Sequence, residues 1–120
     1  MARLLVNIDV PDVGRAADFY TAAWGLTPGR RMGDDFVELL GLEAPLYLIA
    51  NDPGTVPAPG TEPRRYDRHW SPVHLDIGVD DLDAAIARAE AAGARAETPV
   101  RDEPYGRIAT FADPFGHGFC

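Results

Sequence analysis

Two stretches of the chain alternate apolar and polar residues strictly, and each runs into a helical period. In the first, Leu4, Val6, Ile8 and Val10 fall on one face and Leu5, Asn7 and Asp9 on the other. In the second, Val73, Leu75, Ile77 and Val79 share a face, opposite His74, Asp76 and Gly78. A period of two with one apolar side predicts a half-buried strand. Asp12 then caps a helix running to about Trp24, with Val13, Ala16, Ala17, Tyr20, Ala23 and Trp24 as its apolar stripe and Gly25 as its stop. Asp81 caps another, with a stripe of Leu82, Ala85, Ile86, Ala89 and Ala92 and its stop at Gly93.

Phe36 to Leu40 and Leu46 to Ala50 read as two strands joined by a turn. Arg95 to Val100, Arg107 to Ala112 and a segment starting at His117 read as three more. Asp113-Pro114-Phe115-Gly116 supplies the turn between the last two. A continuation past Cys120 is expected to complete the final strand.

Residues 51–72 break the pattern, with five prolines, two glycines and no apolar period. A loop of this length within a compact domain is functional or disordered more often than not. It separates two halves that match at an offset of 69 residues, Val10-Pro11-Asp12-Val13 against Val79-Asp80-Asp81-Leu82. At that offset Leu5 aligns with His74, and Asn7 with Asp76. Each half reads as strand, capped helix, glycine, then three strands. The chain is therefore expected to be α+β: two βαβββ modules forming an open, cup-shaped eight-stranded sheet. Module one is 1–50, the linker loop 51–72 and module two 73–120, all within a single domain 1–120.

Composition narrows the partners. The net charge of −8 argues against nucleic acid, whose phosphates would be repelled, and suits a cationic ligand or simple solubility. No apolar run reaches the ~20 residues of a membrane span, and Met1 to Val10 reads as a strand rather than a leader. The one cysteine, Cys120, has no partner in the chain for a disulfide, which fits a reducing, cytoplasmic setting.

His74 and Asp76 stand on the polar side of their strand, the imidazole as a proton donor or acceptor and the carboxylate as its partner or as a ligand for an ammonium group. Asn7 is the matching polar residue of the first half. Trp70, in a cluster with Arg64, Arg65, Tyr66, Arg68 and His69, is suited to stacking on a planar ligand, to a dimer contact or to a solvated loop. No Ser-His-Asp signature, phosphate loop or CxxC pair appears.

The segments VPDVGRAADFYTAAWGL and HLDIGVDDLDAAIARAEAAGA, the paired layout and the closing DPFGHGFC together resemble the vicinal oxygen chelate superfamily, which includes glyoxalase I, extradiol dioxygenases and bleomycin-resistance proteins. The ending is most similar to its glyoxalase-like members of unknown function. The resemblance implies a homodimer and a ligand cup, with Tyr105 and Arg107 at its mouth and Tyr47 on its wall. It also implies a divalent metal acting as a Lewis acid. Carried over position by position, the family's four ligands fall on Leu5, on Tyr47 or Leu48, on His74 and on Cys120. Only His74 is the customary type, and Leu5 has no donor atom. Glu38 and Asp76 are the available substitutes.

Three functions follow as expectations. The first is a metal-independent protein that encloses a small organic ligand with Asn7, Tyr47, Trp70, His74, Asp76, Tyr105 and Arg107 and needs no cofactor. The alternative is a metal-dependent lyase, isomerase or dioxygenase with His74, Cys120 and Glu38 or Asp76 as ligands. The third is a metal-free enzyme with His74 as general base, oriented by Asp76.

Overall fold

The computed structural model describes residues 1–120. Residues 1–21 and 25–66 form one compact unit, and residues 22–24 and 67–120 form another.

In the first unit the predicted βαβββ order appears. Strand β1 (Val6–Val10) leads to helix α1 (Val13–Trp24), then to β2 (Thr27–Met32), β3 (Phe36–Leu40) and β4 (Leu46–Ala50). The sheet order is β1-β4-β3-β2, with β1 parallel to β4 and the other pairs antiparallel. Asp12 caps α1 by accepting from the Arg15 amide at 3.0 Å, and Gly25 ends it in the left-handed region. The buried stripe is Val13, Ala16, Phe19, Tyr20 and Ala23, so Phe19 replaces the expected Ala17. Val37, Leu39, Leu46 and Leu48 are buried on one side of the sheet.

On the other side, register aligns Asn7 with Tyr47 and Tyr47 with Glu38 in one row. Leu4, expected to share the apolar face, is 72% exposed and precedes the strand. Strand β2 was invisible to pattern, because TPGRRM is exposed at every position and a sheet edge imposes no alternation.

The long loop is ordered by polar tethers. Asp9 accepts from Asn51 Nδ2 at 2.9 Å and from Arg64 Nε at 2.8 Å. Backbone bonds between Gly54, Thr55 and Arg64 close the loop, and the Tyr66 hydroxyl donates to the Asn51 carbonyl at 2.7 Å. Burial, and the nearby Asp9 carboxylate, push the Tyr66 hydroxyl above its usual pKa.

In the second unit Asp81 caps α2 (Leu82–Ala92) through the Ala84 amide, and Gly93 ends it with positive φ. The predicted stripe faces inward, although only Ala89 is fully buried. The strands are shorter than expected: β5 (Arg95–Ala96), β6 (Arg101–Glu103), β7 (Gly106–Ile108), β8 (Phe111–Ala112) and β9 (Gly118–Phe119). They form a three-stranded sheet β5-β8-β9 and a separate β6-β7 hairpin.

The chain is α+β as expected, its nine short strands hydrogen-bonded in sheets of four, three and two. Pro99 stops the 95–100 strand, since it cannot donate to a ladder. The expected 107–112 strand divides between the hairpin and the sheet. Val73–Val79 is extended but forms only an isolated bridge, Leu75 to Phe119, with backbone bonds linking Leu75 and Ile77 to Cys120. Its alternation holds where it matters: Leu75 and Ile77 are half-buried, while His74 and Asp76 are exposed. No helix is long and apolar enough to cross a membrane.

Candidate functional site

The polar face of Val73–Val79 opens on a cleft of about 280 Å³ within the second unit. Its lining comes from four places. The end of the long loop contributes Arg68, Trp70 and Ser71, and the bridged segment contributes His74 and Asp76. The β6-β7 hairpin contributes Arg101, Tyr105 and Ile108, and the end of the sheet contributes Thr110, Gly118, Phe119 and Cys120.

Trp70 and Tyr105 are 72% and 76% exposed, so large aromatic faces stand uncovered at the cleft. Tyr105 occupies the two-residue turn of the hairpin, which Gly106 closes at φ 136°, a value that only glycine adopts freely. The Trp70 and His74 rings lie 6.3 Å apart. Phe119 stacks on Phe111 at 5.8 Å and meets Trp24 edge-on at 5.3 Å, which fixes an apolar base.

The polar groups form two short chains. His74 Nδ1 lies 3.0 Å from Asp76 Oδ1, within reach for an Nδ1–H to be donated to the carboxylate. Separately, Arg101 Nη1 donates to Thr98 Oγ1 at 2.9 Å and to Thr110 Oγ1 at 3.2 Å, and Thr110 Oγ1 lies 3.5 Å from Cys120 Sγ. The donor atoms of His74, Asp76 and Cys120 lie within 4.8 Å of one another.

Arg68 spans the cleft wall. Its guanidinium donates to both Glu97 oxygens, at 2.7 and 2.9 Å, and to the His69 carbonyl. The paired guanidinium holds the Glu97 carboxyl below its ordinary range, and Glu97 raises Arg68 in turn.

Of the sequence-derived candidates, Trp70, His74, Asp76, Tyr105 and Cys120 come together here. Asn7 and Tyr47 belong to the open face of the first unit. Arg107 does not line the cleft: its guanidinium faces Asp83 at 3.4 Å and Asp102 at 4.0 Å. Arg68 enters with the Trp70 cluster, and Arg101 and Thr110 joined the site without having been singled out for it. The prediction of one unbroken 107–112 strand concealed Thr110, which sits where that strand divides.

Of the ligand positions the family implies, Leu5 has no donor atom, while His74 and Cys120 group with Asp76 as donors that could hold a metal ion. Glu38 is already held by Arg30, which donates from its backbone N–H, Nε and Nη2 at 3.2, 3.1 and 2.8 Å and lowers the carboxyl's pKa through those bonds. The Asp76 carboxylate serves the imidazole. Glu38 is thus the ion-pair partner of Arg30 in this structure.

An α+β chain with a capped βαβββ first half and a ligand-sized cleft in its second belongs to the vicinal oxygen chelate class. The family model for glyoxalase-like domains matches residues 5–120. The chain belongs to that glyoxalase-like family. Among relatives, it is 32% identical over 118 residues to the anthracycline biosynthesis protein DnrV of Streptomyces peucetius, covering 95% of this chain. The chain spans only 38% of DnrV's length. Among solved structures, hypothetical protein SA1046 of S. aureus superposes with TM-score 0.73 at 22% identity, covering 99% of this chain and 94% of that one. The fosfomycin resistance protein FosX of Listeria monocytogenes, complexed with Mn(II), superposes with TM-score 0.71 at 17% identity, covering 99% and 87%. At these identities the structural likenesses establish the fold.

Proposed function

We propose that the chain is a small-molecule binding protein that holds a planar organic ligand in the second-half cleft without a metal ion. The observation that carries this reading is the pairing of exposed aromatic faces, Trp70 and Tyr105, with the polar side chains of His74 and Asp76 in one cleft. Aromatic walls with a few directed polar groups are what a ligand pocket needs, the walls for burial and the polar groups for orientation. Metal independence is supported by Leu5, which has no donor atom at one of the family's ligand positions, and by the Arg30 bonds that occupy the substitute Glu38. The likeness to DnrV suggests the ligand class, since anthracyclines are fused planar rings bearing a cationic amine. Asp76 is placed to meet such an amine and Trp70 to stack on such rings.

The same reading carries two further elements. One is a cytoplasmic setting, in keeping with the unpaired Cys120. The other is a homodimer, for which the exposed Leu4, Leu5, Leu40 and Leu42 of the first unit offer an apolar surface that light scattering can test.

The experiment is elemental analysis of protein purified without chelator or metal resin, followed by thermal shift against planar aromatics that include daunorubicin. The reading expects far less than one equivalent of metal and a raised melting temperature, by mass action, with at least one aromatic. A full equivalent of divalent metal, with no ligand-induced shift once it is removed, would overturn it in favour of the metal-dependent enzyme.

A further inference from the structure

We propose that Arg101 is the specificity-determining residue of the second-half cleft and selects planar aromatic ligands that carry a carboxylate. This rests on the preceding reading of the cleft as a site for planar organic ligands, and it names the group such a ligand presents.

Other arginines of the chain show how a guanidinium takes a carboxylate here. Arg30 holds Glu38 through Nε and Nη2, at 3.1 and 2.8 Å. Arg68 holds Glu97 through the same two nitrogens, at 2.7 and 2.9 Å. That edge presents two parallel N–H groups to the two carboxylate oxygens. Arg101 is anchored instead by its remaining nitrogen. Nη1 donates to Thr98 Oγ1 at 2.9 Å and to Thr110 Oγ1 at 3.2 Å, so both anchors are neutral hydroxyls. The Nε–Nη2 edge makes no hydrogen bond within the chain. Glu103 comes to 3.4 Å from Nε, an ion contact longer than an ordinary N–H···O bond. The guanidinium is thus oriented by its own chain while its carboxylate-binding edge stays available.

The fold puts this charge beside the aromatic walls. Arg101 begins β6 and pairs with Ile108 at the open end of the hairpin whose turn carries Tyr105. Arg101, Tyr105, Ile108 and Thr110 all line the cleft, together with Trp70 and Asp76. A ring system held by the aromatics therefore meets one guanidinium and one carboxylate, and such directed groups fix which way round a ligand lies. The net charge of −8 disfavours anions at a distance. Preference for an acid over its neutral isostere then requires a local cation. Arg68 in the same cleft is already engaged by Glu97, which leaves Arg101.

The test uses anthraquinone-2-carboxylate and anthraquinone-2-carboxamide, which share their ring system and nearly their shape. Both are titrated by calorimetry at neutral pH, with chelator present so that no stray metal ion captures the carboxylate. The wild type should bind the acid on the order of tenfold more tightly than the amide. Arg101→Gln should abolish that preference and leave amide affinity within about twofold. Glu103→Gln keeps both threonine anchors and removes the competing carboxylate. It should tighten the acid by roughly threefold and leave the amide unchanged. A purely structural Arg101 would move both ligands together. Equal wild-type affinities for acid and amide, or a parallel loss of both in Arg101→Gln, would overturn the proposal and leave the cleft standing as a site for planar ligands. Should Arg101→Gln fail to fold, unchanged acid affinity in Glu103→Gln overturns it alone. Binding of neither probe to the wild type would overturn it and count against the cleft as well.

Discussion

Replacing Gly118 by alanine places a methyl group where a guanidinium already sits. An added Cβ would lie 2.5 Å from Arg68 Nη2 and 3.0 Å from its Cζ, well inside contact distance. The flexible Arg68 side chain must move, and its two bonds to Glu97 break. A bidentate, charge-assisted pair about one-quarter exposed is worth about 1–2 kcal/mol after solvent screening. Alanine itself returns about 0.4–1 kcal/mol by restricting the unfolded chain. The net expectation for Gly118→Ala is a loss of roughly 0.5–1.5 kcal/mol in urea unfolding at pH 7. In an Arg68→Ala background the clash is gone, and the same substitution should become stabilising by about 0.4–1 kcal/mol.

Acid provides a second check. Glu97 titrates below its ordinary 4.5 when folded, so the pair's contribution is complete above that value and is lost as pH falls through the folded pKa. The wild type should show this loss below about pH 4.5, and Arg68→Ala should lack that part of it. If Gly118→Ala destabilises equally in both backgrounds, the guanidinium is not what occupies that space.

Other substitutions probe separate links. Asp9→Ala removes two of the side-chain tethers of the long loop and should cost about 1–2 kcal/mol, with faster proteolytic nicking between residues 52 and 64 by mass spectrometry. Arg30→Met should return the Glu38 carboxyl towards or above 4.5 from its lowered position, as followed by NMR titration, because the three bonds that hold it down are lost or weakened. Asp113→Ala strips a buried carboxylate that accepts from the Phe115 and His117 amides at 2.8 and 2.9 Å, and denaturant unfolding should show a loss of about 2–3 kcal/mol.

The first half was legible because its signals are local. Asp12, Gly25 and the alternation of β1 and β4 each specify structure within a few residues. Strand β2 was not, since its pairing with β3 depends on a neighbour rather than on its own exposed residues. The second half misled in the opposite direction. Val73–Val79 alternates like a full strand, yet its backbone bonds reach only Cys120. His74 and Asp76 could be placed on one face by parity alone, and their contact followed from i, i+2 spacing. Arg101 and Thr110 could not, because their meeting with Cys120 joins a hairpin to a sheet end. Arg107 was assigned to the mouth by resemblance, but charge drew it to Asp83 and Asp102.

The most direct test of the central claim is calorimetric titration of chelator-treated protein with daunorubicin, on the wild type and on Trp70→Ala. The wild type should bind one molecule per chain, with a dissociation constant on the order of micromolar, and Trp70→Ala should weaken it by roughly tenfold. Heat of binding that appears only when a divalent metal is restored, or that is indifferent to Trp70, would contradict a metal-free aromatic cleft.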